Sequence, residues 1–181
     1  MSTDPHEIER RARFEHLARE LIEPLRRFLF RRTDPDTADD VLADTLLVLW
    51  RRLDDVPEHA LPWAYGVARH CLANAERGQR RRQRLAARIA TVDRPFEPAP
   101  EPGESGELVT EALDALREED AELLRLWAWE QLAPGEIATV LEITANAAGI
   151  RLHRAREKLR EELRKVERAA GHEESREGRT S

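Results

Sequence analysis

Residues 134–159 read PGEIATVLEITANAAGIRLHRAREKL, and the order of signals in this stretch decides the fold. Pro134 suits the first turn of a short helix, which the apolar residues carry to Leu141. Glu142-Ile143-Thr144 breaks the period and reads as a turn. Thr144 has the hydroxyl that an N-cap needs, so a second helix is predicted from Ala145 to about Val166. Short helix, tight turn and longer helix make a helix-turn-helix. In the second helix Ala148, Leu152, Ala155, Leu159, Leu163 and Val166 recur every three or four residues and face inward. Asn146, Ala147, Gly149, Ile150, His153 and Arg154 are left facing outward near its start.

A helix that enters the DNA major groove meets base edges with its N-terminal residues, while nearby Arg and Lys fix it on the phosphates. Thr144, Asn146, Gly149, Ile150, Arg151, His153, Arg154, Arg156 and Lys158 are therefore the candidate DNA contacts. The charges alone fit a solvated basic face equally well. Their place in a helix-turn-helix is what favours DNA.

Upstream, Leu123, Leu124, Leu126 and Trp127 mark one helix, and Leu108, Val109, Ala112, Leu113 and Leu116 mark another. Between Thr91 and Glu107 the chain has prolines at 95, 98, 100 and 102, acids at 93, 97, 101, 104 and 107, and almost no apolar period. This is the composition of an extended acidic linker. The segment just before it is the reverse: Arg77, Arg80, Arg81, Arg82, Arg84 and Arg88 face a single acid, Glu76. Net charge of −6 over 181 residues argues against nucleic acid as a partner only if charge is spread evenly, and here it is segregated.

The Arg cluster continues a helix predicted from Pro62, whose apolar stripe is Ala64, Val67, Ala68, Cys71, Leu72 and Ala75. Cys71 in that stripe reads as a small core side chain. Before a loop at 53–61, Asp34-Pro35 opens the clearest helix, with Asp34 as cap and Pro35 in the first turn. Its apolar face is Ala38, Val41, Leu42, Thr45, Leu46, Leu49, Trp50 and Leu53; Leu47 and Val48 fall outside it. On position alone, Asp39, Asp40 and Asp44 are accounted for by the helix macrodipole. A first helix spans about Asp4–Arg32 through Ile8, Leu17, Leu21, Leu25, Phe28 and Leu29, with Pro24 expected to kink or split it.

With 36% charged and 5% aromatic residues and no strand-like alternation, the chain is expected to be all-α. One cysteine forms no internal disulfide, which fits a reducing compartment and a cytoplasmic location. No apolar run is long enough for membrane insertion. No nucleophile–base cluster, phosphate-cradling glycine loop or metal-ligand spacing is present, so no enzymatic activity, cofactor or metal is expected.

Three stretches together resemble one family. Residues 143–159 are similar to the −35 reading helix of extracytoplasmic-function sigma factors, a group of the bacterial RNA polymerase sigma-70 family. Residues 38–46, with Trp50-Arg51-Arg52-Leu53, resemble its polymerase-binding helix, and residues 63–70 the start of its −10 reading helix. The resemblance covers about Phe14 to Arg164. Three positions depart from the family pattern: Ala43 usually being Gln, His70 Asn, and Gly149 Lys or Arg.

The resemblance implies a non-enzymatic protein of two small helical domains, a region 2 domain at 1–88 and a region 4 helix-turn-helix domain at 108–168. A linker at 89–107 would join them and a disordered tail would occupy 169–181. Implied partners are core RNA polymerase (β′ clamp and β flap), promoter DNA and an anti-sigma factor. Asp40, Asp44, Leu47 and Val48 would bind core; Arg69, His70, Asn74, Arg77, Arg80 and Arg81 would bind the −10 element. The alternative is a free-standing helix-turn-helix regulator, whose N-terminal half should bind a ligand or dimerise. No ligand site is recognisable there.

Overall fold

A computed structural model describes residues 5–86 and 104–177 of the chain. Among them are seven α-helices and one short 3-10 helix: α1 (Pro5–Phe30), α2 (Pro35–Arg51), the 3-10 turn Leu53–Asp55, α3 (Ala60–Ala86), α4 (Glu104–Asp114), α5 (Glu118–Ala128), α6 (Pro134–Leu141) and α7 (Ala145–Glu177). The fold is all-α, as expected. Two compact units are present, one built on α1–α3 and one on α4, α5 and α7.

In the first unit the predicted stripes meet. Leu21, Leu25, Phe28 and Leu29 of α1 and Ala38, Val41, Thr45 and Leu49 of α2 are buried, as are Ala64 and Ala68 of α3. Phe28 lies against Tyr65 with ring centroids 4.9 Å apart. Thr45 is the polar member of this core, and its hydroxyl is satisfied by donating to the Val41 carbonyl at 2.7 Å. Pro24 does not split α1, which runs unbroken past it. Asp34 caps α2 by accepting from the Thr37 amide at 2.9 Å, and this bond holds its carboxyl below the usual range. α3 starts at Ala60 rather than Pro62, which costs nothing because a first-turn residue has no intrahelical use for the N–H that proline lacks.

In the second unit α7 packs on both α4 and α5. Ala148, Leu152 and Ala155 form the buried seam of α7, with Ala112 and Leu113 buried on α4 and Ala121 and Leu124 on α5. α4 begins at Glu104, four residues inside the stretch expected to be linker. The rest of that linker, 89–103, lies outside the described residues. α7 continues to Glu177, well beyond Val166. Residues 169–177, expected to be a disordered tail, lie within this helix: the stretch has no proline, and Ala169, Ala170, Glu173, Glu174 and Glu177 are good helix formers.

The helix-turn-helix junction is built by backbone geometry. Glu142 follows α6 in the left-handed region, with φ 54°. This lets the Ile143 amide reach back to the Ala138 carbonyl at 3.0 Å, the bond that closes a Schellman-type helix end. Thr144 then starts α7, accepting the Ala147 amide on its hydroxyl at 3.2 Å. At the start of α6, Glu136 reaches back to accept the Ala133 amide at 2.7 Å, half of a capping box.

Candidate nucleic-acid interface

The outward side of α7 is set by its seam. Asn146, Gly149, Ile150, His153 and Arg154 line one shallow, open depression with Ala145. Ile150 is 46% exposed, unusual for an apolar residue this large and suited to contact with a thymine methyl. Arg151 and Arg154 are exposed and have no ion pair among the described residues. His153 lies 3.5 Å from Glu157, one turn on.

Two predicted contacts sit differently. The Arg156 guanidinium lies 4.6 Å over the Trp127 ring of α5. Lys158 pairs with Asp120, also on α5. The sequence reading places Trp127 in the apolar stripe of this helix and does not name Asp120, because a contact between positions 38 apart leaves no trace in local spacing. Trp127 is 38% exposed, whereas Leu123, Leu124 and Leu126 of the same stripe are buried.

On α3, Arg69, His70, Asn74, Arg77, Arg80 and Arg81 are all exposed. Arg77 donates to the Asn74 side-chain oxygen at 2.5 Å, and Arg80 lies 3.6 Å from Glu76. Arg69 and Arg81 have no ion pair among the described residues. The loop ahead of α3 is tethered by Arg52, which bonds Asp55 at 3.1 Å and lies 5.3 Å over the Trp63 ring. Beside it, α1 and residues 56–61 line a half-open cleft of about 700 Å3, with Leu17, Leu21, Leu61, Arg13, His16 and His59 among its lining.

On α2, Asp40, Asp44 and Leu47 are exposed on one flank, at i, i+4 and i+7, with Leu47 44% exposed. Val48 is half-buried beside them. Neither aspartate has an ion pair among the described residues. Cys71 is half-buried, at the edge of the core and not within it, and desolvation, with the Asp44 charge as a lesser cause, pushes its thiol up, so the thiolate is disfavoured.

A helix-turn-helix whose second helix presents an open outward face at its capped start has the geometry of helices that enter the DNA major groove. Residues 106–159 match the family described as Sigma-70, region 4. Among solved structures, the sigma factor RpoE from Bartonella quintana, in complex with the anti-sigma factor NepR, is similar at 20% identity and TM-score 0.60, covering 83% of this chain and 96% of that one. CnrH, in complex with the cytosolic domain of CnrY, is similar at 25% identity and TM-score 0.51, over 83% and 86%. The PhyRSL–NepR complex from Sphingomonas sp. Fr1 is similar at 16% and 0.51, over 83% and 85%. No curated protein matches the chain. Residues 106–159 are thus similar to region 4 of the sigma-70 family, and over most of its length the chain shares the fold of solved sigma factor structures. Among the described residues no helix is long and apolar enough to cross a membrane.

Proposed function

We propose that this chain is a sigma factor that joins core RNA polymerase through the exposed flank of α2 and reads the −35 element with the start of α7. The cations of α3 hold the −10 strand. It acts without catalysis of its own. In this reading residues 1–88 form the region 2 domain and 108–168 the region 4 domain. Asp40, Asp44, Leu47 and Val48 meet the polymerase; Asn146, Gly149, Ile150, His153 and Arg154 meet base edges; and Arg151 holds a phosphate.

The observation that carries this is the α7 face itself. Five residues that can read or touch bases share one outward depression, in the segment that matches region 4. The matched RpoE and CnrH structures were each solved as complexes, the first with an anti-sigma factor, which supports a protein of that kind as the controlling partner here.

Run-off transcription with purified core polymerase on a genomic promoter library tests the assignment. The expected result is promoter-specific transcripts that need the chain and share −35 and −10 sequences. Sequence-specific footprints by the chain without polymerase, and no such transcripts with it, would instead establish a free-standing regulator.

A further inference from the structure

Two cations of α7 point back at the fold. With Ala155 taken as the inward direction and about 100° per residue, Arg156 lies about 100° to one side of the seam and Lys158 about 60° to the other. Each meets α5: Arg156 over the Trp127 ring at 4.6 Å, Lys158 on the Asp120 carboxylate. The Asp120 side chain is only 16% exposed, so the acceptor end of this pair is fixed within the unit. Asp120 and Trp127 are seven residues apart, about two turns or roughly 10 Å along α5.

The seam between these flanks is narrow: Ala148 and Ala155 present only methyl groups there, and Leu152 alone adds a large buried side chain. A helix resting on such a strip can roll. A roll of about 30°, at the roughly 5–6 Å radius of side-chain tips, moves an outward atom by about 3 Å, a hydrogen-bond length. Contacts on both flanks oppose the roll in both senses. Arg156 and Lys158 thereby set where Asn146, Ile150, His153 and Arg154 point.

We propose that Asp120 and Trp127 are positioning residues for base reading: they hold Lys158 and Arg156 as struts that fix the rotation of α7, and these two cations do not hold promoter phosphates. The inference rests on the −35 reading proposed above.

The test titrates −35 duplexes against the full chain preassembled with core polymerase, across a range of salt. Removing a phosphate contact lowers the slope of log affinity against log salt by about one. Arg151→Ala should show that loss, and Lys158→Ala should leave the slope unchanged. Asp120→Asn and Lys158→Ala should each reduce discrimination between the preferred duplex and single-base variants several-fold, with the double variant no worse than either. The exchange Asp120→Lys with Lys158→Asp should restore discrimination, and Trp127→Leu should relax it as well. A merely structural pair would shift thermal stability and leave discrimination alone. A slope lowered by about one in Lys158→Ala, with Asp120→Asn indistinguishable from wild type, would overturn the proposal by making Lys158 a phosphate holder. A wild-type complex that does not discriminate −35 duplexes at all would overturn the −35 reading, and the struts with it.

Discussion

Phe14 on α1 meets Trp50 on α2 edge to face, with ring centroids 5.2 Å apart and planes at 74°. Arg10 closes the cluster, its guanidinium 4.9 Å over the Trp50 ring and its Nη2 donating to the Trp50 carbonyl at 3.0 Å. That carbonyl is in the last turn of α2, where no intrahelical donor remains, so Arg10 serves as a C-terminal cap supplied by another helix. The Arg10 Nε is buried without a partner, which offsets part of the gain. The start of α1 is thereby fastened to the end of the helix proposed to dock on polymerase.

Edge-to-face pairs are worth about 0.5–1.5 kcal/mol beyond the area they bury. A double-mutant cycle of Phe14→Leu and Trp50→Leu, followed by urea unfolding, should return a coupling of that size. A coupling near zero would mean that the rings contribute only as apolar surface.

The Asp34 cap should contribute stability in a pH-dependent way. Asp34→Ala should cost about 1 kcal/mol at neutral pH, the usual loss for an N-cap. Because its folded carboxyl is held below 3.8, chiefly by the Thr37 amide, the contribution is present above the ordinary carboxylate range and is lost as pH falls through the depressed folded value. The gap between wild type and Asp34→Ala, read from thermal unfolding, should therefore close on acidification. Asp34→Asn keeps an acceptor oxygen and should show a gap that does not vary with pH in this range.

These two sites show what was legible in the sequence. Asp34-Pro35 lies within one turn of the helix it starts, so spacing alone exposed it; the same is true of Thr144 and of the stripes of α2 and α7. Arg10–Trp50 joins positions 40 apart, and no local period reports such a pair. The exposed flank of α2 was legible because Leu47 violates the stripe. Arg156 and Lys158 read as DNA-contacting cations in the sequence, because a helical wheel gives direction but not what a long flexible side chain finds on the neighbouring helix. Element ends were the least legible, since α4 and α7 extend into polar residues that carry no apolar period.

Gln131 tests backbone strain. It follows α5 with φ 55°, a left-handed conformation that costs a residue with a Cβ and costs glycine nothing. The turn is kept because the Leu132 amide reaches the Leu126 carbonyl at 3.1 Å. Gln131→Gly should stabilise the protein by about 0.5–1 kcal/mol in urea unfolding, after the greater freedom of glycine in the unfolded chain is offset. Destabilisation would show that the Gln131 side chain makes contacts worth more than the strain.

The α2 flank should be separable from the fold. Asp40 and Asp44 are exposed and have no ion pair among the described residues, so reversing both to Arg removes no contact within the unit. The double variant should keep wild-type helical circular dichroism and lose at least tenfold in affinity for core polymerase, the scale of about 1.4 kcal/mol per tenfold. Undiminished co-elution with core would place the docking surface elsewhere.

The −10 assignment turns on Asn74. His70 and Asn74 share a face of α3 at i and i+4, and promoter opening needs a base drawn out of the stack and held by its exposed edge, at a cost of a few kcal/mol. Arg77 already donates to the Asn74 oxygen at 2.5 Å. With one of the two lone pairs of that oxygen engaged, Asn74 offers more donors than acceptors and should favour a base edge rich in acceptors. His70 stands where the resembling family has Asn, and a neutral imidazole offers one donor and one acceptor in a different geometry. Two substitutions therefore differ in kind. Asn74→Ala should slow opening most for acceptor-rich bases and so flatten the preference, whereas Arg77→Ala should leave the Asn74 oxygen more open to donors and broaden the choice towards bases that donate. Opening is measured by 2-aminopurine fluorescence in the −10 element, with each base tested in turn at the held position. If His70→Ala and Asn74→Ala both opened promoters at the wild-type rate with unchanged base preference, the held base would lie against other residues, and α3 would serve only to grip the strand.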